Sequence, residues 1–275
     1  MRLLITNIGI LAGLDKEQKL RLCGSEMKQF STIENAWLLI EDSRFKDWGK
    51  MSEMPSEGIP SDKTIDAGGG AVLPSWCDPH THIVFAGSRE GEFVDKICGL
   101  SYAEIAKRGG GILNSADLLH TLSEDELYSS AMRRVDEIIR KGTGCVEIKS
   151  GYGLNTEDEL KMLRVIRRIK ETTPLKVKST FLGAHAVGRG YSQPDYVDLV
   201  VNEMIPEVGK EHLADYVDVF CDEGFFTPEE TARILEAASK WGMMPKIHAD
   251  ELASSGGVEA VSYTHLRAHE TVLDL

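Results

Sequence analysis

The sequence predicts an α/β protein: a (β/α)8-type barrel, incomplete in this chain, preceded by a small β portion. Three observations carry that expectation. Short apolar segments near 72–77, 145–149, 177–182, 216–221 and 244–248 alternate with helix-periodic stretches, the pattern of parallel strands joined by crossover helices. No Gly-x-Gly-x-x-Gly follows the first of these strands, which weakens the alternative of an open doubly wound sheet that holds a dinucleotide. Finally, His80, His82, Lys149, His185, Asp222 and His248 all fall at or just past the C-terminal end of an expected strand, the face where barrels build active sites. The strands with this habit fall short of the eight that closure needs.

Residues 1–72 read as the small β portion. The run 2–10 is largely apolar, and 36–41 holds Trp37, Leu38, Leu39 and Ile40. Residues 50–63 are rich in Ser, Glu, Pro and Gly without periodicity and read as a loop. The triplet Gly68 to Gly70 precedes another short apolar run. No Lys-Ser/Thr follows it, so it reads as a turn rather than a phosphate loop.

The barrel portion, 73–260, carries clear helices. Residues 124–141 place Leu127, Ala131, Val135, Ile138 and Ile139 at spacings of three and four. Residues 157–170 do the same with Leu160, Leu163, Val165, Ile166 and Ile169, and Thr156 stands before three acids as the expected N-cap. Thr227 caps 228–240 with Pro228 at the first helical position. Gly142 and Gly242 suit C-caps.

Composition narrows the function. A hydrophobic share of 42% and a charged share of 27% are those of a soluble globular protein. A net charge of -13 argues against nucleic acid, whose binding rests on Lys and Arg at phosphates. No run of eighteen apolar residues is present, so no membrane span is expected. The first residues lack a basic n-region and cleavage site and read as a strand, which makes the expected compartment the cytoplasm. The 5 cysteines are widely spaced with no Cys-x-x-Cys and read as reduced thiols, most of them packed in the core.

The chemistry concentrates in Asp78-Pro79-His80-Thr81-His82. Side chains alternate along a strand, so His80 and His82 on one strand point to one side, where two imidazoles can chelate one metal ion. His248 ends another short strand and would supply a third ligand, leaving room for water. Glu251, three residues on, could shuttle a proton, with Asp250 as competitor. His185 could be a ligand, a proton donor or an aid to a developing oxyanion. Arg89 could hold a carboxylate through two parallel hydrogen bonds, and Tyr152, between two glycines, could meet a ring. Taken singly, Arg89 and Tyr152 are more ordinarily surface residues.

Five segments together resemble the imidazolonepropionase family of the metal-dependent amidohydrolase superfamily. They are the run from Asp78 through His80, His82 and Gly87 to Arg89; Glu147-Ile148-Lys149-Ser150-Gly151-Tyr152-Gly153-Leu154; Phe181-Leu182-Gly183-Ala184-His185; Cys221-Asp222-Glu223-Gly224-Phe225-Phe226; and His248-Ala249-Asp250-Glu251-Leu252. The resemblance runs from Met1 to about Ala260. It implies an amidohydrolase barrel with an N-terminal share of a composite β-sandwich. It implies hydrolysis of the cyclic amide of 4-imidazolone-5-propanoate to N-formimidoyl-L-glutamate, in histidine degradation. It implies one Zn or Fe ion on His80, His82 and His248. Arg89, Tyr152, His185 and Glu251 would bind substrate, with Glu251 and His185 as the catalytic pair. The expected partner is thus a small molecule, and a homodimer is open.

The resemblance also sets up expectations of absence. The family carries a further aspartate ligand in later barrel strands, which this chain is expected to lack. Residues 261–275 depart from the family pattern and are expected to be foreign sequence on a truncated chain, so neither His265 nor His269 is assigned a role. Two other readings are another amidohydrolase, hydantoinase-like or a nucleobase deaminase, and an inactive fragment with an unpaired sheet edge. A closed structural zinc site is disfavoured, because the ligand set lacks cysteines.

Overall fold

The computed structural model describes residues 1–14, 22–28, 30–100, 104 and 111–259. The expectation for the tail 261–275 lies outside the described residues. The chain divides into two units, Met1–Ser75 and Trp76–Leu275.

In the first unit β1 (Arg2–Ala12) is central. It pairs antiparallel with β2 (Thr32–Glu41), in the register Leu4 to Leu39 and Ile8 to Ala36. It pairs in parallel with β4 (Lys63–Asp66) and β5 (Ala71–Val72). The edge strand β3 (Arg44–Lys50) pairs antiparallel with β2. The sequence pattern misses β3, whose residues are mostly exposed and charged and so carry no alternation. Ile8, Leu11, Ala36 and Leu38 form one buried cluster, and Leu4, Trp37 and Leu39 another. Each cluster gathers residues from paired strands, as the period-two alternation of side chains requires.

The second unit holds a parallel sheet in the order β10-β9-β8-β7-β6. The strands are β6 (Trp76–Asp78), β7 (Thr143–Lys149), β8 (Lys176–Ala184), β9 (Tyr216–Cys221) and β10 (Met244–Pro245), with β11 (His248–Ala249) also on β9. Each strand neighbours the next in the chain. A doubly wound sheet would reverse its order partway. The sheet is therefore singly wound, as barrel segments are, and the doubly wound alternative is set aside.

The longer connecting helices bury one stripe each. α3 (Glu124–Arg140) opens on a capping box in which Ser123 and Glu126 each bond the other's backbone N–H, and it buries Leu127, Ala131 and Val135. α4 (Thr156–Thr172) buries Leu160, Leu163, Ile166 and Ile169. Its N-cap is Asn155, which accepts from Asp158 N at 2.9 Å, rather than the expected Thr156. Asn155 takes the extended backbone a cap requires, and Thr156 is already helical. α7 (Pro228–Ser239) is capped by Thr227 as expected. Gly142 and Gly242 adopt φ of 94° and 78°, the conformation that ends a helix at glycine. Helices α1 (Glu90–Ile97), α2 (Ile112–His120), α5 (Gln193–Leu199) and α6 (Ile205–Lys210) also form. A π turn at Val200–Met204 joins the last two.

β7 is buried on both faces. Val146 and Ile148 are wholly buried, and so, at 4% and 2% exposure, are Glu147 and Lys149 on the alternate face. Charged side chains thus face the interior. No disulfide joins the described cysteines, but the expectation that most pack in the core fails: Cys23, Cys77 and Cys98 are exposed and only Cys221 is buried. Cysteine's average preference is overridden where a strand end or a loop faces solvent. Among the described residues no helix is long and apolar enough to cross a membrane.

Candidate metal centre and its pocket

His80 and His82 lie just past β6, not on it. The strand pairing is carried forward locally: Lys149 N donates to Thr81 O at 2.9 Å, and Thr81 Oγ1 donates to Glu147 O. Thr81 is thus tied to β7 between the two histidines, whose donor atoms lie close together. The two rings thus converge although the histidines lie past the strand rather than on it.

The donor atoms of His80, His82 and His248 lie within 4.8 Å of one another. His80 Nε2 and His248 Nε2 are 3.2 Å apart. Burial, then the neighbouring Lys149 and His248, pushes the His80 imidazole below its ordinary pKa. Burial and the neighbouring His185 push His82 down to about 2. Neutral imidazole is the form that ligates a metal. His82 Nδ1 is buried without a hydrogen-bond partner, an atom whose desolvation nothing in the protein offsets. Three convergent imidazole donors, on rings one of which carries an unpartnered buried nitrogen, fit a divalent cation with an open position.

Around this cluster the rings pack closely. His82 stacks on His185 at 5.4 Å between centroids, and Tyr152 lies 5.5 Å from His82 and 5.4 Å from His185. His185 directly follows β8, and its Nδ1 donates to Gly151 O at 3.0 Å, which leaves Nε2 as an acceptor. Burial lowers the pKa of this ring to about 4. Gly151 has φ of +112°, and a Cβ there would come within 2.9 Å of both His185 Nδ1 and Leu182 O. Glycine is therefore needed for the loop to approach this closely.

Tyr152 owes its position to Glu159, which the sequence pattern marks only as a first-turn acid of α4. The Glu159 carboxylate is fully buried and accepts N–H from Gly151 at 3.0 Å, Gly153 at 2.7 Å and Leu154 at 3.1 Å. Burial raises its pKa against the pull of these donors.

Asp222 does similar work on the other side. It accepts N–H from Glu251 at 2.9 Å, Leu252 at 2.8 Å and Ala253 at 3.1 Å, anchoring the loop after His248. Asp250 is committed to that loop, accepting Ser255 N at 2.9 Å. Glu251 instead borders a cavity of about 430 Å3, together with Arg89, Lys96, Tyr152, His185, Phe220 and Phe225. Of the two candidate carboxylates, Asp250 is thus taken up within its own loop, whereas Glu251 lines the cavity. Phe220 and Phe225 meet edge to face at 4.5 Å. They form an aromatic wall unforeseen in the sequence, although Phe225 sits within one of the five family-like segments. A second cavity, of about 420 Å3, lies at the opposite strand ends beside Tyr216 and Met244 and contains none of the expected site residues.

Beneath the imidazoles lies a buried ion network. His248 Nδ1 stands 3.1 Å from Asp218 Oδ1, and Asp218 Oδ2 accepts from Lys149 Nζ at 2.6 Å. Burial disfavours the charge on Lys149, but Asp218 and Glu147 outweigh it and hold the ammonium above its ordinary pKa. Burial likewise opposes the Asp218 carboxylate, and His248 and Lys149 overcome it, holding the group below the usual carboxylate range.

No protein-family model matches the chain. Among curated proteins it is 54% identical over 274 residues to an imidazolonepropionase of Christiangramia forsetii, covering 97% of this chain and 66% of that protein. The chain thus spans about two thirds of that relative's length. Among solved structures it resembles the 5-methylcytosine deaminase of Klebsiella pneumoniae liganded with 5-fluorocytosine (TM-score 0.62, 13% identity, 96% of this chain and 55% of that one). It also resembles the atrazine chlorohydrolase of Arthrobacter aurescens TC1 complexed with zinc (TM-score 0.57, 14% identity, 98% and 59%). At such identities these two likenesses speak for the fold alone.

Proposed function

The chain belongs, over the portion it spans, to the imidazolonepropionase family, and from that premise we propose that it acts in the hydrolysis of the cyclic amide of 4-imidazolone-5-propanoate to N-formimidoyl-L-glutamate. The observation that carries the reading is the convergence of three histidine donors within 4.8 Å, beside a cavity bordered by Arg89, Tyr152, His185 and Glu251. His80, His82 and His248 would hold one zinc or iron ion. When bound, that ion supplies Lewis acidity to water and to the ring carbonyl.

The chain's own groups do the rest. Arg89 takes the propanoate carboxylate. Tyr152 and the Phe220–Phe225 wall enclose the ring and exclude water. His185, with Nδ1–H given to Gly151 O, offers Nε2 as an acceptor for a ring N–H. That favours substrate recognition over donation to an oxyanion. Glu251, on the loop pinned by Asp222, takes a proton from water and returns it to the departing nitrogen.

Residues 1–72 would contribute to a β-sandwich and 73–260 to the hydrolase barrel. The proposed compartment is the cytoplasm, and a homodimer is left open as the assembly. The test is metal content by elemental analysis together with turnover of imidazolone propanoate, assayed beside a hydantoin and cytosine. Bound metal with turnover of imidazolone propanoate alone is the expected result. Turnover of the hydantoin or cytosine instead would reassign the substrate, and protein without metal or turnover would overturn the reading.

A further inference from the structure

We propose that Asp218 is a positioning residue of the metal centre: it fixes His248 as the Nδ1–H tautomer with Nε2 facing His80 and His82, and Lys149, braced by Glu147 and Lys246, holds it there. The inference rests on reading the three histidines as ligands of one ion.

Asp218 lies mid-strand on β9, at 1% exposure, and faces the interior two residues before Phe220. Its two oxygens lie 3.1 Å and 3.0 Å from His248 Nδ1. A carboxylate at that distance accepts a proton-bearing nitrogen and repels the lone pair of a bare one. The ring hydrogen is therefore held on Nδ1, and the lone pair falls on Nε2, 3.2 Å from His80 Nε2. Two ring nitrogens that close can both turn lone pairs toward one cation.

Asp218 is itself held. Lys149 Nζ donates to its Oδ2 at 2.6 Å and to Glu147 Oε1 at 3.1 Å. Lys246 Nζ donates to the same Glu147 oxygen at 2.9 Å, and Thr180 Oγ1 donates there as well. The chain of contacts thus runs from Lys246, just past β10, through β7 and β9 to the ligand on β11.

Stability alone does not account for this arrangement. Buried ion pairs seldom outperform apolar side chains of similar volume, and the interior of a barrel is ordinarily filled by branched apolar residues. Here two carboxylates and two ammonium groups occupy that space, and Glu147 Oε2 is buried without a partner. A network that satisfies itself incompletely yet delivers one carboxylate to a ligand's free nitrogen is built for orientation.

The test uses the full chain, with zinc alone as the probe. Zinc affinity is measured by competition with a chelator for the parent, Asp218→Asn, Asp218→Glu and Lys149→Met, with thermal melting of each metal-free protein alongside. Asp218→Asn is expected to weaken zinc binding on the order of 10- to 100-fold and Asp218→Glu to recover part of that loss. Lys149→Met should fall between the parent and Asp218→Asn. A lowered melting temperature with zinc affinity unchanged in Asp218→Asn would mean that the network merely fills the interior, and would overturn the proposal.

Should Asp218→Asn fail to fold, nitrogen-15 NMR of the metal-free parent still decides. The Nδ1–H tautomer at His248 is expected, and the Nε2–H tautomer overturns the idea. These readouts involve no substrate. A protein that passes them yet does not hydrolyse imidazolone propanoate keeps the positioning role and loses only the proposed reaction.

Discussion

Arg89 is held by Glu92: its Nε and one terminal nitrogen donate to the same carboxylate oxygen, at 2.9 Å and 2.5 Å. The other oxygen of Glu92 accepts Gly111 N at 2.9 Å. Arg89 borders the cavity, so Glu92 presents to it the same group that a substrate carboxylate would. The hydrogen bond from Arg89 holds the Glu92 carboxyl below its usual range despite partial burial.

If Arg89 binds the propanoate, Arg89→Ala raises KM while kcat changes less. Charge-assisted hydrogen bonds of this kind contribute about 1.5–3 kcal/mol, or on the order of 10- to 100-fold in KM. Glu92→Gln removes a competing anion while it can still accept from Gly111, and should lower KM by a few-fold. Steady-state kinetics on imidazolone propanoate check both; an unaltered KM in Arg89→Ala would rule out the carboxylate clamp.

His80 supplies one of the three converging donors. His80→Ala leaves two histidines, and bound metal should fall below about one tenth of the parent stoichiometry, with turnover lost. Elemental analysis after dialysis is the measurement, and retained metal would count against the ligand assignment.

Glu159 and the Tyr152 loop should prove separable from the chemistry. Glu159→Ala leaves three buried N–H donors without an acceptor, a loss of about 3 kcal/mol or more. Glu159→Gln keeps one acceptor oxygen and should lose less. Urea unfolding measures the stability, and KM measures the displacement of Tyr152. Equal stability of Glu159→Ala and the parent would show that the loop is held some other way.

Acid stability should depend on Asp215. It accepts Ser179 N at 3.0 Å and stands 3.1 Å from Lys178 Nζ and 3.6 Å from Lys170 Nζ. Burial opposes its charge, but these partners prevail and depress its pKa. A carboxylate depressed in the folded state stabilises the fold above its unfolded pKa, and that contribution is lost as pH falls through the folded value. Asp215→Asn should therefore destabilise by about 1 kcal/mol at pH 7, with the gap narrowing below about pH 4. Denaturant midpoints at pH 7 and pH 3 make the comparison; a constant gap would assign the effect to shape rather than charge.

The sequence by itself determined the main parallel strands and the three longest helices of the second unit, because burial of one helical stripe and capping at Thr227 are local properties. It also determined which residues could reach one face. A residue just past the C-terminal end of a parallel strand has little choice of side, so His185, Asp222 and the histidines near β6 and β11 could be placed by pattern alone. Helices α1, α2, α5 and α6 escaped notice, and α1 and α5 show two different reasons. α1 buries none of its residues and so has no apolar stripe to read, whereas α5 is short, although Ser192 caps it.

The tertiary structure alone decided the rest. Asp218 and His248 are 30 residues apart in the chain, and no periodicity announces that a mid-strand aspartate meets a ligand on a neighbouring strand. Their meeting is set by lateral strand register, in which Phe220 pairs with His248. Glu159 is the nearer case: its place in the first turn of α4 was legible, but its turn toward the Tyr152 loop was not. Local pattern fixes which way a side chain leaves its own element. What that side chain then touches depends on how elements pack, and in this protein that packing assembles the candidate metal site.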